Sequence, residues 1–194
     1  LMKNDGTVLI DVRNNFEYKV GTFKGSINPK TENFTEFKKF INKNLKNFQK
    51  KRIALFCTGG IRCEKASSYM LNQGFKNLYQ LDGGILNYID YTKSNKKESL
   101  WMGECFVFDN RVTVDKNLIR GKYIQCHGCR HPIKIEDTKL GSYKKGVSCK
   151  YCYKKRTKFQ KTKSFSRQNQ INLAEQKGIK HSFKKIKSED IIYS

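Results

Sequence analysis

Four residues, Thr58, Gly59, Gly60 and Ile61, separate Cys57 from Arg62. A loop of that length with two glycines can curl round one small anion while the arginine closes it. Residues 53–56, Ile-Ala-Leu-Phe, read as a buried strand, and beyond the glycines Ala66, Met70 and Leu71 recur at helical spacing. Strand, glycine-rich turn and helix together gather backbone N–H groups at one point, because the first turn of a helix leaves its donors unpaired. Cys57 sits at the mouth of that turn. The amides of residues 58–62 and the positive end of the helix dipole favour thiolate over thiol, and Arg62 adds a fixed charge. This pattern points to a cysteine that attacks or carries a group. The competing reading is a small apolar cysteine at the end of a core strand.

A second constellation lies further on. Cys126-His127-Gly128-Cys129 and Cys149-Lys150-Tyr151-Cys152 are two Cys-x-x-Cys knuckles with nineteen residues between them, the spacing of a four-cysteine zinc site. Four thiolates close a tetrahedron and leave no open position, so Cys126, Cys129, Cys149 and Cys152 are expected to hold a structural zinc, with His127 a poorer ligand. A ribbon this small buries too little apolar surface to fold unaided, and the metal would supply that free energy.

The elements that position Cys57 follow from hydrophobic patterning. Residues 7–12 read as a parallel strand from whose C-terminal end Asp11 and Arg13 project, more as a supporting ion pair than as reacting groups. Residues 14–32 show no strong period and are expected to form a loop. Phe34, Phe37, Phe40, Ile41 and Leu45 define an amphipathic helix. Residues 78–81 read as another strand, and Asp82-Gly83-Gly84 turns into a helix carrying Ile85, Leu86 and Ile89. Strands alternating with helices imply an α/β fold with a parallel sheet between helical layers. Residues 105–114 read as a hairpin, in which Cys105 is a packing residue.

The stretch Cys57-Thr58-Gly59-Gly60-Ile61-Arg62-Cys63-Glu64-Lys65-Ala66-Ser67 resembles the active-site loop of rhodanese-like domains. More narrowly, it resembles that of the bacterial rhodanese-containing tRNA uridine hydroxylases, which form 5-hydroxyuridine at the wobble position. Leu9-Ile10-Asp11-Val12-Arg13, Leu81-Asp82-Gly83-Gly84-Ile85 and Phe106-Val107-Phe108-Asp109-Asn110-Arg111 carry the same likeness. The resemblance implies that Cys57 is the persulfide-carrying residue and that molecular oxygen is a co-substrate. It also implies that the spacer to Arg62 goes with sulfur carriage, whereas related phosphatases have a loop one residue longer. Rhodanese-like domains have a further strand and helix upstream, so the resemblance implies a domain over residues 1–98 that lacks them. A hairpin connector over 99–120, a zinc-ribbon-like segment over 121–156 and a basic, flexible tail over 157–194 would follow.

The net charge is +23 over 194 residues. Residues 1–100 contribute 18 basic and 9 acidic side chains, residues 101–194 contribute 22 and 8, and no acidic residue occurs between Asp137 and Glu175. Such a field attracts polyanions, nucleic acid above all, although a lysine-rich composition on solvated faces gives the same count. Lys150, Lys154, Lys155, Arg156 and Lys158, interleaved with Tyr153 and Phe159, suit a phosphate backbone and stacked bases, with tRNA the expected partner. Seven cysteines without a secretory signal, one of them needing to stay reduced, fit the cytoplasm better than a disulfide framework. No apolar run is long enough to cross a bilayer, and no flavin or nucleotide motif is seen. The leading expectation is therefore a tRNA uridine hydroxylase. Behind it stand a rhodanese-type sulfurtransferase fed by a small sulfur donor, and a non-catalytic zinc-ribbon module that binds RNA.

Overall fold

The computed structural model describes residues 6–178. The chain divides into two compact units, Leu1–Ile124 and Gln125–Ser194. In the first, the elements run Thr7–Asp11 (β1), Asn15–Val20 (α1), Gly21–Phe23 (β2), Phe34–Lys43 (α2), Leu45–Phe48 (α3), Arg52–Phe56 (β3), Ile61–Asn72 (α4), Leu78–Gln80 (β4), Gly84–Ser94 (α5), Trp101–Gly103 (β5), Cys105–Phe106 (β6) and Thr113–Val114 (β7).

β1, β3 and β4 form a parallel sheet with β3 in the centre, Leu9 opposite Ala54 and Asp11 opposite Phe56. Side chains alternate across a strand, so the central strand feeds two cores. Ile53 and Leu55 join Ile10 beneath α2 and α4, packing with Phe37, Ile41, Ala66 and Met70. Ala54 and Phe56 join Leu9 on the opposite face, with Phe23, Ile85, Ile89 and Trp101. This is the α/β architecture with helices on both faces that the patterning implies.

Three expectations need correction. Residues 14–32 are not all loop: α1 and β2 form there. The Glu17 carboxylate accepts the Asn14 backbone N–H at 3.1 Å, closing the start of α1, and β2 pairs antiparallel with β5. The segment 99–120 is not a mere connector, because Trp101, Cys105, Val107 and Val114 belong to the second core. Leu71 does not share the buried face of α4 with Ala66 and Met70; it is exposed.

In the second unit, Tyr123–Gln125 (β8), within which the division falls, and Pro132–Lys134 (β9) flank the first knuckle, and a 3-10 turn covers Ile135–Lys139. Where a flexible tail is expected, Lys158–Gln176 forms a helix (α6). Thr157 caps it, its hydroxyl accepting the Gln160 N–H at 3.2 Å, and no glycine or proline interrupts it. Its buried positions are the polar Ser164 and Gln168, which explains why no apolar period announces it. The rest of the expected tail, residues 179–194, lies outside the described residues.

Candidate active site

β3 ends at Phe56 and α4 begins at Ile61, so residues 57–60 make the turn between a buried strand and a helix N-terminus. The Gly60 N–H points back to the Cys57 sulfur at 3.2 Å, from a backbone with φ of 94° that side-chain-bearing residues rarely adopt. α5 grips the same turn from the other side. The Cys57 carbonyl accepts from Ile85 N–H at 2.9 Å and the Thr58 carbonyl from Leu86 N–H at 3.2 Å, so donors of one helix end fix the backbone of the loop. Gly84 permits that approach, since a Cβ there would lie 2.6 Å from both carbonyl oxygens. Cys57 itself is only 1% exposed. It nevertheless lines a hollow of about 400 Å³ shared with Thr58, Gly59, Ile61, Arg62 and Phe108.

The Cys57 pKa is lowered to about 5. The Cys63 thiol, donating to the Cys57 sulfur, is the largest cause. The backbone N–H groups of Cys63, Arg62 and Gly60 add to it and burial opposes it. The same interaction, together with burial, pushes the Cys63 thiol upward. Arg62 is differently placed from the simple expectation. Its guanidinium forks onto Glu17, Nη1 to Oε2 at 2.7 Å and Nη2 to Oε1 at 2.8 Å, and Nη2 also reaches the Thr58 hydroxyl at 3.3 Å. Glu17 is fully buried. Burial works against the Arg62 charge, and Glu17 more than offsets it, so the arginine pKa rises.

Asp11 and Arg13 form the expected pair, both fully buried, with Nη2 to Oδ2 at 2.6 Å. Arg13 also donates to the Gly21 carbonyl at 2.6 Å, and its guanidinium lies 5.1 Å from the Trp101 ring centroid. The pair ties the end of β1 to β2 and does not line the hollow.

In the second unit the sulfurs of Cys126, Cys129, Cys149 and Cys152 lie within 4.8 Å of one another. Individual separations are 4.0 Å (Cys126–Cys152), 3.7 Å (Cys129–Cys149) and 3.9 Å (Cys149–Cys152). A tetrahedron with metal–sulfur bonds of about 2.3 Å has edges of about 3.8 Å, so the cluster suits a metal ion and the donors suit a thiophilic one. Among the expected tRNA-binding residues, Lys154, Lys155 and Lys158 are exposed. Lys150 is paired with Asp137 at 2.9 Å. Arg156 is half-buried and donates to the Gly128 and Gln160 carbonyls and to Ser164 Oγ, which makes it a strut between the first knuckle and α6.

Residues 1–90 match the family described as Rhodanese-like domain. Over these residues the chain is similar to rhodanese-like domains. A protein of Pelagibacter ubique named tRNA uridine(34) hydroxylase is 54% identical over 185 residues, 95% of this chain and 60% of its own length. One of the same name from Acinetobacter baumannii is 51% identical over 179 residues, 92% of this chain and 56% of its own. The chain thus spans somewhat over half the length of these curated relatives.

Two residues of the Cys57 site, Glu17 and Phe108, are visible in the sequence as pocket-side or motif residues, but their roles are not. Glu17 answers Arg62 across 45 positions, and a single glutamate in an aperiodic stretch gives no sign of such a partner. Phe108 lines the hollow from the turn between β6 and β7. The likeness of residues 106–111 marks the stretch, but nothing in it says that Phe108 meets the hollow.

Proposed function

We propose that the complete protein is a tRNA uridine(34) hydroxylase, converting C5–H of the wobble uridine to C5–OH, with Cys57 as the reacting sulfur. The observation that carries this reading is the identity of 54% over 95% of the chain to a relative of that name. The local chemistry agrees with it: a thiol with a pKa of about 5 opens onto a hollow of nucleobase size. In this reading Cys57 works as thiolate or persulfide, and Cys63, Gly60 and the start of α4 hold the negative sulfur. Glu17 holds Arg62 in place, and Asp11 with Arg13 fixes the strand end behind the loop. Molecular oxygen is the co-substrate, one atom entering the C5–OH and the other leaving as water with two electrons and two protons from an external reductant.

Zinc at Cys126, Cys129, Cys149 and Cys152 would brace the second unit, and the exposed Lys154, Lys155 and Lys158 would meet tRNA phosphates. Among the described residues no helix is long and apolar enough to cross a membrane, and we place the reaction in the cytoplasm, where tRNA is met. The test is nucleoside analysis of tRNA from cells whose only copy of the complete protein carries Cys57→Ser. Loss of 5-hydroxyuridine is expected, and its persistence at the native level overturns the assignment. The rhodanese-like match of residues 1–90 favours one alternative, sulfur transfer through a Cys57 persulfide to a thiol. An adduct of about 32 Da on Cys57 that is removed by reductant, with unaltered tRNA nucleosides in the variant, would select it.

A further inference from the structure

Two large apolar side chains stand in solvent at the rim of the Cys57 hollow, Ile61 at 72% exposure and Phe108 at 75%. Exposed apolar residues scattered singly are ordinary. These two flank one nucleophile, and Phe108 is held in place. The buried Phe106 ring meets it edge-on, centroids 5.2 Å apart at 90°, and the Arg62 guanidinium lies 5.7 Å from its centroid. The turn that carries it is closed by Val107 N–H to the Val112 carbonyl at 2.9 Å. The Asp109 carboxylate braces it by accepting the Arg111 N–H at 2.9 Å and the Arg111 guanidinium at 2.6 Å. An aromatic ring oriented in advance and largely uncovered loses little entropy when something flat settles on it.

The hollow limits what that can be. At about 400 Å³ it sits low in the range of roughly 300–1,000 Å³ typical of small-molecule sites. It has room for one base but not for a duplex. Its polar groups are the Thr58 hydroxyl, the Arg62 and Arg111 guanidiniums and the Asp109 carboxylate, so it offers donors for ring carbonyls and one acceptor for a ring N–H. A pyrimidine dione presents that mixture on its edge. A small inorganic sulfur donor would have no use for the aromatic surface.

We propose that Phe108 is the stacking platform for a single unpaired pyrimidine of RNA, holding the base over the hollow with its ring within reach of Cys57. This rests on the tRNA reading and sharpens it: the group taken up at the site is one splayed-out base, and Phe108 is the residue that holds it. Base–aromatic stacking tolerates any base face, so the edge contacts and the size of the hollow would favour the pyrimidine.

The test is a cycle on the complete protein, binding anticodon stem–loop RNA with either uridine or an abasic site at the wobble position. Phe108→Ala and Phe108→Leu are expected to weaken binding of the uridine RNA by about 5- to 150-fold. Both should leave the abasic RNA within about twofold, and Phe108→Trp should bind like the native protein. Equal losses on both RNAs, or a leucine variant that binds uridine RNA as tightly as the native protein, overturn the platform. Iodoacetamide alkylation of Cys57 serves as a check on the fold, and a variant that slows it tenfold also counts against the platform, since Phe108 would then be shaping the thiolate. Native cells that yield no 5-hydroxyuridine would instead sink the hydroxylase reading. Native cells that do yield it, alongside an indifferent Phe108→Ala, remove only the platform.

Discussion

The state of Cys57 can be tested by replacing Cys63 with alanine. A fall in pKa from the ordinary 9.0 to about 5 raises the thiolate fraction at pH 7 from about 1% to about 99%. The same fall costs each thiolate intrinsic nucleophilicity. With a Brønsted coefficient of about 0.4–0.5, four units correspond to a factor of roughly 40–100. The two effects nearly cancel at neutral pH, so the absolute rate says little and the midpoint of the pH profile decides. Alkylation of Cys57 by iodoacetamide, followed by mass spectrometry of its peptide, should be flat above about pH 6 and fall below about pH 5 as the sulfur takes up its proton. Cys63 contributes the largest single stabilisation, and a hydrogen bond to a charged acceptor is worth about 1.5–3 kcal/mol, or one to two pH units. Cys63→Ala should therefore move the midpoint up by about that much, and Cys63→Ser, which keeps a donor, by less. A native midpoint above about pH 8, or an unmoved one in the alanine variant, refutes the account of how this sulfur is ionised.

The Glu17–Arg62 fork predicts that Arg62→Ala, by leaving a fully buried carboxylate without its partner, lowers unfolding stability in urea by about 3–5 kcal/mol. Arg62→Lys should recover only part, because a lysine cannot fork. Metal analysis should find close to one zinc per chain; chelation or Cys149→Ser should expose residues beyond 124 to protease while leaving the first unit resistant. Reversing Lys154, Lys155 and Lys158 to glutamate should weaken tRNA binding and lower the slope of log affinity against log salt by about 0.7–0.9 for each phosphate no longer neutralised. Lys150→Ala should change that slope less than Lys154→Ala, since Asp137 already neutralises Lys150.

What was legible in the chain is what is locally encoded. β3, the glycine turn and α4 are contiguous, and their order alone brings amides to Cys57. The two knuckles carry their spacing in sequence, and the structure gathers their sulfurs as that spacing requires. The elements that escaped notice depend on distant partners or on polar packing. α1 is six residues long, too short for a period, and its placement depends on Glu17 meeting Arg62. β2 is three residues long, and its partner β5 lies some 80 positions away. α6 rests on polar contacts: Gln168 packs on Gly146, Arg156 holds Ser164 at 2.6 Å, and the Lys144 ammonium lies 4.2 Å from the Phe165 ring centroid. None of these shows in a search for apolar stripes.

The placement of Arg62 has the largest consequence for the chemistry. Sequence spacing makes the guanidinium the counter-charge of the cradle. In the structure its two shortest contacts go to Glu17, and the contributions that lower the Cys57 pKa, against burial, come from the Cys63 thiol and three backbone N–H groups. The Arg62–Glu17 pair is neutral as a unit, so the hollow offers an anion mainly dipoles. Dipoles from one thiol and the start of a short helix suffice for a single negative charge on a large, polarisable sulfur. A phosphate dianion entering the same loop would find the arginine already bidentate on a buried carboxylate, and the other guanidinium at the rim, Arg111, already paired with Asp109. It would have to pull Arg62 from Glu17 and leave that carboxylate buried and unpaired, a cost of several kcal/mol. The ion pair that steadies Arg62 thus tilts the loop toward carrying sulfur and away from binding phosphate, on electrostatic grounds independent of loop length.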